Sequence, residues 1–116
     1  MNIKINFHQM PHSDGLDKHA REKLTKVSSL LKRAENLHPI TAELFLNAQA
    51  THAHHHEVEL RVKSGSVSAS AHETNADMYM AIDSVVDKVI TQIKKEKTRT
   101  DDKRQKVHTE KTNFGL

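Results

Sequence analysis

The sequence predicts an α+β fold with the element order β-α-β-β-β-α, in which two helices pack on one face of a four-stranded sheet. Two observations favour this fold. Short segments alternate polar and apolar residues with a period of two, and two longer segments repeat apolar residues every three or four positions. The 116 residues, 35% of them hydrophobic, suffice for one modest core. We therefore expect one domain over residues 1–97 and a flexible, charged tail over residues 98–116.

The first strand and the first helix differ in the period of their apolar residues. Residues 2–7 alternate polar and apolar side chains, as a half-buried strand does. Ser13 or Asp14 can then cap a helix. The dipeptide His38-Pro39 ends that segment, because the residue before a proline disfavours the helical conformation. The apolar stripe of this helix comprises Leu16, Ala20, Leu24, Val27, Leu30, Leu31 and Ala34.

Three further strands are predicted in the middle of the chain. Residues 40–46, 57–63 and 66–72 each alternate apolar and polar side chains, and Ser64-Gly65 is a turn at hairpin spacing. The helical crossover favours parallel pairing of the first two strands, whereas the short turn favours an antiparallel hairpin of the last two. The order of the strands in the sheet stays open.

The second helix is predicted over residues 77–97, with Thr74, Asn75 or Asp77 as its cap. When the apolar stripes of both helices face the sheet, their polar faces lie side by side in solvent. The stripe of the second helix comprises Met78, Ile82, Val85, Val86, Val89 and Ile93.

The composition excludes several kinds of site. Without cysteine there is no disulfide, thiol nucleophile or Cys-ligated metal. Three glycines cannot build a P-loop or a dinucleotide fingerprint, and no G-x-S-x-G elbow is present. No apolar run approaches the roughly 18 residues of a membrane span, and the N-terminus has no apolar signal segment. We expect a cytoplasmic protein that is not an enzyme and needs no cofactor.

Charge is segregated along the chain. Residues 16–34 carry six basic and two acidic side chains, residues 35–87 carry two and eight, and residues 88–116 carry nine and four. The first predicted helix therefore lies in a basic segment and the second ends in one, so that their adjacent polar faces form a cationic surface. Such a surface attracts polyanions in a salt-dependent way. A merely solvated pair of helix faces is the alternative interpretation.

Spacing of the lysines favours a nucleic-acid partner. Lys26 and Arg33 are seven residues apart on the first helix, as are Lys88 and Lys95 on the second, so each pair lies about 20° apart around its helix axis. Few acidic residues balance them at helical spacing. Since the chain has only four aromatic residues, contact with phosphates and RNA shape is favoured over base stacking on the sheet.

Ten histidines are many for this length, and the run His52–His56 is the densest group. Imidazoles in a loop can bind zinc or nickel. His54 and His56 lie on the opposite side of a strand from His55, so the run does not converge on one ion, and we expect no metal site. A His-rich, metal-responsive protein remains one alternative function, and a general RNA-binding module is another.

Three segments carry a family resemblance. Residues 77–83 read Asp-Met-Tyr-Met-Ala-Ile-Asp, residues 23–27 read Lys-Leu-Thr-Lys-Val, and residues 88–97 contain a lysine series with Gln92. These segments resemble the bacterial ribosome hibernation promoting factor and ribosome-associated inhibitor family, also called sigma-factor modulation proteins. The resemblance covers about residues 1–97 and is that of a short form, which lacks the second, dimerising domain of the long hibernation factors.

The resemblance implies a domain that binds the small ribosomal subunit in the channel of mRNA and tRNA. It implies competition with both RNAs, and ribosomes kept inactive in stationary phase or stress. We expect ribosomal RNA to be the partner, and the free protein to be a monomer. The candidate rRNA-binding residues are Lys23, Lys26, Arg33, Lys88, Lys94, Lys95, Lys97 and Arg99.

The signature residues of this resemblance are Asp77, Met78, Tyr79, Ala81 and Ile82. We expect them to be structural, with Asp77 as a helix cap and Tyr79 as a ring packed under the helices.

Overall fold

The computed structural model describes residues 1–33, 38–48 and 55–95. Its elements are β1 (Asn2–His8), α1 (Asp14–Arg33), β2 (Thr41–Asn47), β3 (His56–Ser64) and β4 (Val67–Asn75). A second helix, α2, begins at residue 78 and is helical up to residue 95, where the last described segment ends. The predicted element order is confirmed, whereas the predicted tail lies outside the described residues. No helix in the described segments is long and apolar enough to cross a membrane.

The strands lie in the sheet in the order β1-β2-β3-β4, which is also their order in the chain. β1 pairs with β2 in parallel, from Asn2 opposite Thr41 to His8 opposite Asn47. The β2–β3 and β3–β4 pairs are antiparallel. The predicted pairing is therefore confirmed, and the strand order that the sequence left open makes β1 and β4 the edge strands.

One face of the sheet and both helices form a single core. On each inner strand every second side chain is buried, and the buried stripes of α1 and α2 pack against these residues. The opposite face of the sheet is left uncovered by both helices. The largest fully buried side chains are those of Leu24, Leu31, Leu44, Leu46, Leu60, Ile82, Val27, Val58, Val62, Val85, Val86 and Val89.

Both helices begin at a side-chain cap. The backbone N–H of Leu16 donates to Oγ of Ser13 at 3.2 Å, so Ser13 rather than Asp14 caps α1. The N–H of Tyr79 donates to Oδ1 of Asp77 at 2.9 Å, so Asp77 caps α2. Each cap satisfies a backbone donor that has no partner within its helix.

The turn between β3 and β4 comprises Gly65 and Ser66, one residue later than predicted, because Ser64 pairs with Val67. Gly65 has a φ of 60°, which suits the first central position of a type II′ turn. A Cβ at this position would clash with the ring of His38. Both the backbone conformation and the available space therefore require glycine here.

β4 is longer than predicted and continues through Thr74 and Asn75, which were candidate helix caps. Its free edge meets α2. Nε2 of Gln92 donates to the backbone oxygen of Ser70 at 2.6 Å, and the N–H of Ser70 donates to Oε1 of Gln92 at 3.1 Å. The amide of Gln92 thus takes the place of one residue of a neighbouring strand.

The two helices run parallel, since their contacts repeat at a sequence separation of 64 residues. A Cβ on Gly15 would contact the hydroxyl of Tyr79, and His19 bonds to Asp83. Further along, residues 26 and 90 line the same groove. The side-by-side helix faces expected from the sequence are confirmed, and the structure adds that the helices run parallel.

Candidate nucleic-acid interface

The N-terminal halves of α1 and α2 meet at a polar seam formed by His19, Lys23, Tyr79 and Asp83. Nε2 of His19 lies 2.7 Å from Oδ1 of Asp83, and Nζ of Lys23 lies 3.7 Å from the same oxygen. The ring of Tyr79 contacts His19 edge-on, with 5.0 Å between ring centroids. One carboxylate therefore holds two α1 side chains and joins the helices.

Beyond the seam the helices border an open groove of about 370 Å³. At the 64-residue offset, Lys26 stands opposite Ile90, and Leu30 stands opposite Lys94. Each wall thus carries one ammonium group and one apolar side chain, in opposite order along the groove. The residues that line it are Thr25, Lys26, Ser29, Leu30, Ile90 and Lys94.

Two of the predicted RNA-binding lysines are ion-paired within the domain. Lys23 pairs with Asp83 in the seam, and Lys88 pairs with Glu73 on β4. The Lys88 ammonium, followed by the Ser84 hydroxyl at 3.0 Å, lowers the pKa of the Glu73 carboxyl from its usual 4.5. Lys23 and Lys88 therefore present less uncompensated charge than their sequence positions suggest.

The structure describes the side chains of some of the remaining predicted cations and not those of others. Lys26 and Lys95 are exposed and have no ion pair among the described residues, and Lys94 is exposed in the groove. Arg33 is the last residue of α1, and its side chain lies outside the described part. Lys97 and Arg99 also lie outside it. The structure thus brings Lys26 and Lys94, 68 residues apart, to one groove.

Most of the signature residues have a structural position. Asp77 caps α2, while Met78, Ala81 and Ile82 are buried in the core. These positions explain the residue pattern of the segment. The capping carboxylate comes first, and the buried apolar residues of the first helical turns follow it.

The sequence predicted that the ring of Tyr79 packs under the helices, and this prediction is wrong. The side chain is 44% exposed and crosses the N-terminal turns of both helices, beside Gly15 and His19. The physical reason is helical spacing. Tyr79 is one turn before Asp83 and shares the flank of α2 that faces α1, not the stripe that faces the sheet.

The uncovered face of the sheet carries one aromatic cluster. The rings of His8 and Phe45 stack with centroids 6.3 Å apart, and the guanidinium of Arg61 lies 5.5 Å from the centre of the Phe45 ring. Phe7 packs against the core on the other face. A single half-buried ring under an arginine agrees with the interpretation that the sheet is not a base-stacking platform.

The apolar part of the groove was not predicted from the sequence. Leu30 was assigned to the core stripe of the first helix, and Ile90 was assigned to no stripe. Both are only half-buried and face the groove. A signal for Leu30 and Ile90 was present in the sequence. On both helices, an apolar residue lies at the margin of the stripe, next to lysines.

Of the histidine run, His52 and His54 lie outside the described residues. Within the described segments, no group of three or more His, Asp or Glu side chains could hold a metal ion.

The chain is similar to known proteins both in sequence and in fold. Residues 3–101 match the family model described as sigma 54 modulation protein / S30EA ribosomal protein. The crystal structure of the Thermus thermophilus Protein Y N-terminal domain is similar, with a TM-score of 0.68 and 25% identity over 82% of this chain and 98% of that one. A ribosomal subunit interface protein from Coxiella burnetii shares the fold, with a TM-score of 0.66 and 20% identity over 84% and 99% of the two chains. No curated protein matches the chain.

The fold and the interface define a small α+β domain that presents lysines on two parallel helices. The chain belongs to the sigma 54 modulation protein / S30EA ribosomal protein family, whose model covers most of its length. It is therefore a ribosome-associated modulation factor, a class that is not enzymatic.

Proposed function

We propose that this chain keeps ribosomes inactive by occupying the mRNA and tRNA channel of the small ribosomal subunit. The solvent faces of α1 and α2 contact the ribosomal RNA there. The factor acts in the cytoplasm, in stationary phase or stress, and needs no cofactor. It is a monomer away from the ribosome.

The observation that carries the proposal is the position of Lys26 and Lys94 on facing walls of one groove. Lys95 extends the same exposed basic surface. A phosphate backbone suits this surface, because each phosphate that a lysine neutralises releases condensed counterions. Because the chain belongs to the sigma 54 modulation protein / S30EA ribosomal protein family, we expect this RNA to be ribosomal RNA.

Inhibition by occupancy is a competition, since the bound protein and the translating RNAs need the same space. Its extent follows the concentration of free protein relative to its dissociation constant. High concentrations of mRNA and initiator tRNA therefore displace the protein, and a rising protein concentration restores inhibition.

The test is co-sedimentation of the full chain with small subunits and with whole ribosomes across a salt series. We expect binding to both at near-physiological salt, and release when mRNA and initiator tRNA are added. Retention of the protein in the presence of both RNAs would contradict the channel site. Equal affinity for arbitrary RNA duplexes would favour the general RNA-binding module instead.

Charge variants test which surface of the protein binds the RNA. Lys26→Gln with Lys94→Gln is expected to lower affinity and to reduce the slope of log affinity against log salt by about 0.7–0.9 per lost phosphate contact. Lys63→Gln is the matched control, because Lys63 is exposed on the uncovered face of the sheet. An equal effect of the control would show that the helix surface is not the binding surface.

A further inference from the structure

We infer that the ring of Tyr79 is a stacking platform for one unpaired base of the bound RNA, at the end of the helix pair where α1 and α2 begin. This inference rests on the proposed function and deepens it, because it adds a contact to a base to the contacts with phosphates. The ligand is a single-stranded segment of RNA, since only an unstacked base has a free face.

Tyr79 belongs to an apolar patch on the surface of the first turn of α2. Besides Met1, the exposed large hydrophobic side chains in the described part of the chain are those of Tyr79 and Met80, which are 44% and 57% exposed. The core needs neither of them, because Met78 and Ala81 occupy the buried positions beside them. Covering this patch is favourable for a ligand that has an apolar face.

The ring lies on the same flank of α2 as the groove. Tyr79, Ile90 and Lys94 fall within about 60° around the helix axis, because steps of four and seven residues return to one side of a helix. From α1, Gly15 and His19 adjoin the ring. RNA that lies along this flank, as the proposed function requires, and continues toward the start of the helices therefore passes the ring.

The contacts of the ring hold it in place and leave a face for a base. The planes of the Tyr79 and His19 rings make an angle of 77°, with 5.0 Å between their centroids. Such a T-shaped contact uses either an edge or one face of the tyrosine ring, so at least one face does not touch His19. An aromatic side chain can stack on any base, because every base has a π face.

The acidic side chains in the first turn of α1 have partners within the protein. Oδ1 of Asp14 lies 3.0 Å from Nε2 of His12. Nε of Arg21 donates to Oδ1 of Asp17 at 2.6 Å. Lys18, on the same turn, is exposed and has no ion pair among the described residues. The backbone of an RNA can therefore approach this end of the helix pair.

Two substitutions separate the ring from the rest of the side chain. Tyr79→Leu keeps an apolar side chain of good helix propensity but removes the ring, whereas Tyr79→Phe keeps the ring and is the matched control. We expect Tyr79→Leu to lower the affinity for small subunits about tenfold, the scale of one lost stacking contact. Tyr79→Phe is expected to bind within about twofold of the unaltered chain. The slope of log affinity against log salt should be unchanged in both variants, since no cation is removed.

A photo-cross-link identifies what covers the ring. The variant Tyr79→p-azidophenylalanine keeps an aromatic side chain, and on irradiation of its complex with small subunits it bonds to its nearest neighbour. We expect that neighbour to be ribosomal RNA. Cross-linking to a ribosomal protein instead would overturn the inference.

The affinities separate this inference from the proposed function. If Tyr79→Leu binds within about twofold of the unaltered chain, or if Tyr79→Phe loses as much affinity as Tyr79→Leu, the stacking inference is wrong while the proposed function stands. If the unaltered chain fails to bind small subunits at low salt, the proposed function itself is wrong. Circular dichroism and thermal unfolding of each variant verify that the fold is retained.

Discussion

The imidazole of His19 and the carboxylate of Asp83 join α1 to α2, with 2.7 Å between Nε2 and Oδ1. Nζ of Lys23 lies 3.7 Å from the same oxygen, so one carboxylate contacts two side chains of the other helix. The groove that follows this seam is lined by Lys26 and Lys94.

Asp83→Asn is expected to have opposite effects on stability and on RNA binding. Loss of the charged contacts to His19 and Lys23 should lower the free energy of unfolding by about 1 kcal/mol, since these side chains are partly exposed. Releasing Lys23 should steepen the salt dependence of ribosome binding. Urea unfolding and the sedimentation series measure the two effects. Asp87→Asn, at an exposed position of the same helix, is the control, and a shallower slope for Asp83→Asn than for this control would contradict the expectation.

The contact between Glu73 and Lys88 should make stability depend on pH in the acidic range. Because the Lys88 ammonium and the Ser84 hydroxyl lower the pKa of Glu73 in the folded state, the ionised carboxylate stabilises the fold above its ordinary value of 4.5. This contribution is lost as the pH falls through the lowered folded-state pKa. Glu73→Gln is therefore expected to be less stable than the unaltered chain at pH 7. The difference should shrink as the pH falls below 4.5 and then through the lowered folded-state pKa, where the carboxylate is protonated. Urea unfolding at pH 7 and across this acidic range is the measurement, and a difference that grows on acidification would reverse the sign.

Gly65→Ala and Gly15→Ala form a matched pair with different expected outcomes. At Gly65 the positive φ and the neighbouring ring of His38 both oppose a side chain, so we expect a loss of about 1–3 kcal/mol. At Gly15 an added Cβ meets only the hydroxyl of Tyr79, the far end of a side chain that is 44% exposed and can shift. The alanine there should change stability by less than about 1 kcal/mol, since it also improves helix propensity. Thermal unfolding compares the two, and equal losses would show that the Tyr79 ring is held rigidly.

Gln92→Ala should expose the free edge of β4. Without the amide, the N–H and the carbonyl oxygen of Ser70 lose their partners and can pair with another strand. We expect a lower stability by about 1 kcal/mol and concentration-dependent association in sedimentation velocity. Thr91→Ala is the control, because Thr91 is an exposed neighbour whose hydroxyl bonds only within its own helix. A Gln92→Ala protein that stays monomeric at high concentration would show that the edge is protected in another way.

Elements with a strong apolar period were predictable from the sequence, and polar strand ends were not. The core residues of α1 from Leu16 to Leu31 follow the predicted stripe, apart from the half-buried Leu30. β4 extends beyond its prediction because Glu73 and Asn75 occupy positions on its inner face, where the alternation rule expects apolar residues. Polar side chains are tolerated there because Glu73 bonds to Ser84 and Lys88 of α2, a helix whose position the strand's own sequence does not encode.

The candidate interface was predictable as a basic surface but not in its internal pairing. Acidic partners were expected at helical spacing within each helix, whereas Lys23 and Lys88 pair with residues of other elements, Asp83 and Glu73. Such partners become visible only when the strand order and the helix offset are known. The same offset brings Leu30 and Ile90 into the groove, which no pattern within one helix could indicate.

The coincidence of sheet order and chain order has a consequence for synthesis. Each strand pairs with the strand made just before it, so the sheet can grow in the direction of translation. The groove, however, needs walls from both helices, and α2 is the last described element to be made. A nascent chain that ends before residue 78 therefore contains all four strands but only half of the groove, and the groove is complete only after the last helix is released and docked.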